Sequence, residues 1–194
     1  IVPTKVYDTY WRFAAERQAI FFRRLTAQPP PWTDDPILQC YKFTNAYRAS
    51  DRVSQYLIRN VIYQGNQAPR EVFFRTLLFK FFNRIETWEL LYNSLGSISF
   101  EDYDFARYDA ILCGALAQRT PIFSAAYIMP SGSRVFAAAK KHRSYLALLE
   151  QMMADGVPHR LQDMRLMRGA FGLLREYPMM GDFLAYQYVT DINY

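Results

Sequence analysis

The chain has 194 residues, 51% of them apolar and 17% aromatic, so it can bury a sizeable core and wholesale disorder is excluded. A balance of 23 Lys and Arg against 18 Asp and Glu gives a formal charge of +5, which permits an anionic partner without requiring one. No apolar run approaches the roughly twenty residues that cross a bilayer, so no membrane span is expected, and an opening with neither Met nor a signal-peptide pattern predicts a trimmed chain.

Residues 7 to 27, "YDTYWRFAAERQAIFFRRLTA", carry apolar Tyr10, Phe13, Ala14, Ile20, Phe21 and Leu25, with Arg12, Glu16, Arg17, Arg23 and Arg24 between them. That is the pattern of an amphipathic helix. "QPPPWTDDP" ends it, because consecutive prolines cannot continue a helix. A second helix should begin at Asp35 or Pro36, an acidic cap followed by a first-turn proline. Residues 1–36 are expected to be a helix and Pro-rich linker packed on a main domain of residues 37–194.

The second helix is expected to run to about Tyr63, where "QGNQAP" stops it. Within it, "FTNAYRASDRVSQYLIRN" places Asn45, Arg48, Arg52, Gln55 and Arg59 at alternating steps of three and four. On a helix that spacing stacks them in one stripe. The stripe suits either a solvated face or a wall that meets something anionic.

Residues 70 to 96, "REVFFRTLLFKFFNRIETWELLYNSLG", are apolar on nearly every face and predict a central helix with Phe74, Leu78, Phe82 and Trp88 buried. Lys80, Asn83 and Thr87 interrupt the apolar surface at spacings of three and four. Burying a lone ammonium costs several kcal/mol, so Lys80 must be paired, open to a cleft, or snorkelling at an edge.

"SFEDYDFARYDAILCGALAQ" has a cap-like Ser99 and Asp102 and predicts a helix to about Gln118. Another amphipathic helix is expected over 133–154, basic at Lys140, Lys141, His142 and Arg143, and a further one over 160–175. Cys40 and Cys113, both in apolar surroundings, read as reduced core thiols of an intracellular protein. His142 and His159 lack ligand-spaced neighbours, so neither a metal nor any other cofactor is expected. Strand-like alternation is absent, and the fold class is all-α with seven or eight helices.

The last stretch, "LLREYPMMGDFLAYQYVTDINY", reads as a helix end, a tight turn and a new helix. Gly181 can take a positive φ there, and its missing Cβ lets another backbone or a phosphate approach. A helix starting at Asp182 would present its first amides to a phosphate. Leu174, Tyr177, Pro178, Gly181, Leu184 and Ala185 resemble the helix-hairpin-helix element of the DNA glycosylase superfamily, with Met179 where that pattern has its first glycine.

A closer resemblance covers most of the chain. "FTNAYRASDR", "FRTLLFKFFNRIETWELL", "IFSAAYIMP" and "GDFLAYQYVTDINY" resemble the α-glutamyl/putrescinyl thymine pyrophosphorylase family, itself related to the helical domain of 5-hydroxymethyluracil DNA kinases. The resemblance implies a glycosylase-like all-α protein that takes part in thymine hypermodification in DNA. The reaction replaces pyrophosphate on 5-hydroxymethyluracil with the amine of an amino acid or polyamine. On that reading Arg48, Arg52 and Lys80 serve the leaving group, and Asp51 or Asp191 takes the proton of the amine. Asn45, Gln55 and Asn83 meet the base edge, Tyr127 stacks on the base, and Gly181 admits a phosphate. Glycosylase-like enzymes carry an essential Asp further beyond the hairpin glycine than this chain extends, which predicts a chain truncated after Tyr194. With no G-x-x-x-x-G-K-S/T motif, the chain is not itself the kinase, and a DNA kinase becomes an expected partner. Two other readings stay open: a non-catalytic DNA-binding module that recognises a modified base, and a base-excising glycosylase. The host implied is a phage-infected bacterium or, for a eukaryotic source, the nucleus.

Overall fold

The computed structural model describes residues 4–126, 130–137 and 140–194, and every regular element among them is helical. In order these are α1 (Lys5–Leu25), α2 (Pro36–Cys40), α3 (Arg52–Leu57), α4 (Pro69–Phe82), α5 (Ile85–Leu95), α6 (Phe105–Ala117), α7 (Ser133–Phe136), α8 (Lys141–Ala154), α9 (Val157–Gln162), α10 (Met167–Arg175) and α11 (Asp182–Ile192). A 3₁₀ turn at Arg48–Ser50 precedes α3, and a π-helical turn at Ile58–Ile62 follows it. The chain divides into two compact units, Ile1–Gln55 and Tyr56–Tyr194.

In the first unit α1 forms as its periodicity predicts, yet none of its residues is fully buried and Tyr10, Trp11, Phe22 and Leu25 are exposed. Asp35 caps α2, accepting from the backbone N–H groups of Ile37 (2.8 Å) and Leu38 (3.2 Å), with Pro36 in the first turn. The expected long helix to Tyr63 does not form. α2 ends at Cys40, the chain runs irregularly to Tyr47, and helix resumes only as short pieces. Polar side chains cause the break by bonding to nearby backbone: the Asn45 amide donates to the Ser50 carbonyl (2.8 Å) and the Gln55 amide to that of Ala49.

The second unit is built around α4, which packs on α5, α8, α9, α11 and the π turn. Phe74, Leu77, Leu78 and Phe81 are fully buried, and Phe82 and Trp88 nearly so, as the all-round apolar pattern predicts. Each such side chain contributes roughly 1.5–3 kcal/mol on leaving water. The charged residues of α4 serve its own neighbours. Buried Glu71 accepts from the backbone N–H groups of Phe100 (2.7 Å) and Glu101 (3.2 Å). Buried Arg75 donates to the carbonyls of Val61 (3.1 Å) and Asn66 (2.8 Å), closing the loop after the π turn.

Several expected helices are split. The 70–96 helix breaks at Asn83, whose φ of 47° puts it in the left-handed region that Asn tolerates as a helix terminator. The helix before Gln118 starts at Phe105 with Asp104 as its cap, while Ser99 and Asp102 bond to each other in the loop before it. The 133–154 helix separates into α7 and α8, and the 160–175 helix into α9 and α10.

Candidate functional site

Lys80 and Asp191, far apart in sequence, meet inside the second unit. Lys80 Nζ lies 3.2 Å from Asp191 Oδ2 and donates to Asn83 Oδ1 at 2.6 Å. Lys80 is 3% exposed, Asn83 6% and Asp191 0%. Lys80 projects from the last turn of α4, and the left-handed bend at Asn83 folds its amide back over the ammonium. α11, packed on α4, delivers the carboxylate. The expected need for a counter-charge is therefore met from within the protein rather than by a phosphate. Thr87, the third polar residue of that series, donates instead to the Ile122 carbonyl (2.8 Å).

The 43–60 residues have a different use from the one their spacing suggests, because no continuous helix stacks them. Asn45 and Gln55 hold the backbone carbonyls of Ser50 and Ala49. Asp51 is the cap of α3, its Oδ2 accepting from the N–H groups of Val53 (3.0 Å) and Ser54 (3.4 Å). Asp51→Ala is expected to cost about 1 kcal/mol of stability in a urea melt, the usual loss for a helix cap. Arg52 and Arg59 are exposed and Arg48 is half-buried. Asn45 also lines a groove of about 670 Å³ with Arg17, Arg24 and Lys42 interleaved with Trp32, Tyr41 and Phe43. Tyr127 lies outside the described residues.

The hairpin forms where its motif predicts, between packed α10 and α11. Gly181, the residue before α11, does not use the positive φ open to glycine; its φ is −70°. The left-handed position is Met179, φ 66°, the place of the motif's first glycine. A non-glycine residue there bears roughly 1–2 kcal/mol of strain. The α11 N-terminus is exposed and has no side-chain cap, and beside it Arg175 pairs with Asp182. Arg165, Arg168 and Arg175 are exposed along α10 and its approach, as are Phe183 and Tyr186 on α11. The sequence reading missed these arginines, although Arg168 and Arg175 have the seven-residue spacing of one helix face. A groove of about 470 Å³ opens nearby, with Phe73, Met164, Met167 and Ile192 as apolar walls and Gln162 and Asn193 as polar ones. Neither Lys80 nor Asp191 lines it.

A second polar cluster, which sequence spacing does not reveal because it joins α6 to α8, surrounds Asp109. Its carboxylate accepts from Arg143 Nε (2.7 Å), Arg143 Nη2 (2.6 Å) and His142 Nε2 (2.7 Å). Cys113, one turn on, lies 3.4 Å from the carboxylate and 3.7 Å from His142 Nε2, and Lys140 Nζ approaches its sulfur to 3.0 Å. The donor atoms of Asp109, Cys113 and His142 are within 4.8 Å of one another, a spacing that metal ions use. A dication does not suit the site, because Arg143 and Lys140 already supply two positive charges to those donors. The expectation of core thiols needs correcting as well: both cysteines are free, but Cys40 is exposed and Cys113 half-buried.

The bond from Arg143, joined by those from His142 and Cys113, holds the Asp109 carboxyl well below the usual carboxylate range. Burial lowers the His142 pKa from its ordinary value, against the upward pull of Asp109. An unfolded chain then takes up the histidine proton first, at about pH 6.5. Stability from this group is complete above that pH and declines as pH falls toward the folded value, whereas the share from Asp109 is lost only below about pH 4. Denaturation midpoints should drop between pH 7.5 and 5.5 in the wild type, and by less in His142→Gln.

Among the described residues no helix is long and apolar enough to cross a membrane. Residues 4–194 match the family model described as "5-hmdU DNA kinase, helical domain". Over 131 residues, 64% of this chain, the sequence is 31% identical to a 5-hmdU DNA kinase of Bacillus phage SP10. The match covers 20% of that protein, so the chain corresponds to about a fifth of its relative's length. No solved structure matches the chain.

Proposed function

Because the chain belongs to the family of 5-hmdU DNA kinase helical domains, we propose that it works in thymine hypermodification, transferring an amino acid or polyamine onto pyrophosphorylated 5-hydroxymethyluracil in DNA. The amine nitrogen attacks the exocyclic methylene, the carbon–oxygen bond to pyrophosphate breaks, and the ammonium formed loses a proton. The observation that carries this reading is the Lys80–Asp191 pair, which brings a cation and a carboxylate to one point beside the Asn83 amide. Asp191 would take the amine proton, Lys80 would stabilise the departing pyrophosphate, and Asn83 would meet the pyrimidine edge. A DNA kinase, on the same chain or separate, would supply the activated base inside an infected bacterium. The α10–α11 hairpin would hold the DNA backbone, with the amides of α11 and the guanidinium of Arg168 toward phosphates.

Mass spectrometry of nucleosides, from DNA carrying the pyrophosphorylated base incubated with the protein and an amine mixture, tests the transfer. The expected product gains the amine and loses pyrophosphate, and Asp191→Asn should abolish it. A second reading is favoured by one observation: the pair is buried, while the groove of about 470 Å³ with Gln162 and Asn193 is lined by neither Lys80 nor Asp191. On that reading the domain recognises the modified base without changing it, and DNA binding without product formation would establish this.

Both readings require salt-dependent DNA binding. Deleting one cation that neutralises a phosphate should flatten the slope of log affinity against log salt by about 0.9 on duplex DNA. Arg48→Ala, Arg52→Ala and Arg168→Ala are each expected to weaken binding on all sequences alike. Unchanged slopes in all three would make these residues a solvated surface.

A further inference from the structure

The cluster around Cys113 has no part in the proposed transfer, and its composition is unusual for a structural core. A half-buried thiol lies between an ammonium at 3.0 Å and an imidazole nitrogen at 3.7 Å, with the guanidinium of Arg143 held close by Asp109. Lys140 and Arg143 against Asp109, to which the thiol itself donates at 3.4 Å, leave one positive charge in excess around the sulfur. His142 is fully buried and its Nδ1 has no hydrogen-bond partner, so the ring is oriented by its Nε2 side, toward Asp109 and the sulfur. Lys140, Lys141, His142 and Arg143 begin α8, where the helix dipole disfavours cations. Their concentration at that end suits a site built for a negatively charged group.

We propose that Cys113 is a reactive, modifiable thiol whose reaction partner is a hydroperoxide. In the reaction the sulfur attacks one peroxide oxygen and the oxygen–oxygen bond breaks. The thiol proton ends on the departing oxygen, giving water or an alcohol, and the sulfur becomes a sulfenic acid. The sulfur is oxidised by two electrons and the peroxide reduced by two. Lys140 and Arg143 can donate to the departing oxygen, which is the particular reason for choosing a hydroperoxide over an electrophile with a neutral leaving group.

Cys40, the more exposed thiol, is an internal control, because accessibility alone would make it react first. The intact chain, treated with less than one equivalent of hydrogen peroxide in the presence of dimedone, is digested and both cysteine peptides are quantified by mass spectrometry. Cys113 is expected to be labelled at least about tenfold faster than Cys40. Lys140→Met, a change at an exposed position, is expected to remove most of that preference while leaving the thermal melt in place. Faster labelling of Cys40, or an undiminished preference in a folded Lys140→Met, would overturn the proposal. Protection of Cys113 by one equivalent of zinc would overturn it as well, by making the cluster a metal centre.

Discussion

Lys80→Met is expected to destabilise the protein by about 3–5 kcal/mol, because it removes the ammonium and leaves a buried carboxylate without its counter-charge. Asp191 is completely buried and 3.2 Å from Lys80 Nζ, so water cannot replace the lost partner without opening the core. Converting both residues, Lys80→Met with Asp191→Leu, should recover most of the loss, since well-packed apolar groups commonly replace a buried ion pair at no net cost. Urea or thermal melts of the single and double variants measure this directly. The same double variant separates structure from chemistry. If it folds and still transfers the amine, the pair is an internal brace and leaves the site; if it folds and binds DNA but forms no product, the pair belongs to the reaction. A single variant as stable as the wild type would contradict the pairing itself.

Phe81→Ala is expected to cost about 3–5 kcal/mol, the range for emptying an aromatic site in a packed core. Phe81 is fully buried on α4, with its ring centroid 5.1 Å from that of Tyr145 on α8 and 5.7 Å from that of Tyr188 on α11. It therefore ties the central helix to the helix carrying Asp191. Phe81→Leu, which keeps much of the volume, should cost less than about 1.5 kcal/mol. Denaturation midpoints at an unchanged m-value would register both. A loss below about 1 kcal/mol for Phe81→Ala, on the same cavity reasoning, would mean that α4 is not central.

The candidate site was half legible. Lys80 and Asn83 stand out in sequence because a cation and an amide interrupt an apolar helix, and burial makes such residues conspicuous. Asp191 could be chosen only through the resemblance, since nothing local marks an acidic residue near a chain end. The three-four spacing of the 43–60 polar series does not by itself make a helix, because Asn and Asp side chains compete for the backbone and end helices. Asp51, read as a proton acceptor, caps α3; Asn45, read as a base contact, holds the carbonyl of Ser50.

The all-α class, the buried central helix and the hairpin position follow from local pattern alone, because hydrophobic periodicity and Pro–Gly punctuation act over one or two turns. So does the need of Lys80 for a counter-charge. Packing in three dimensions settled which group supplies it, that Met179 rather than Gly181 takes the left-handed turn, and that Asp109, Cys113, Lys140, His142 and Arg143 form one cluster. Most of these are pairings between residues many turns apart, set by how helices pack. The local spacing that identifies a helix carries no record of which helix will face it.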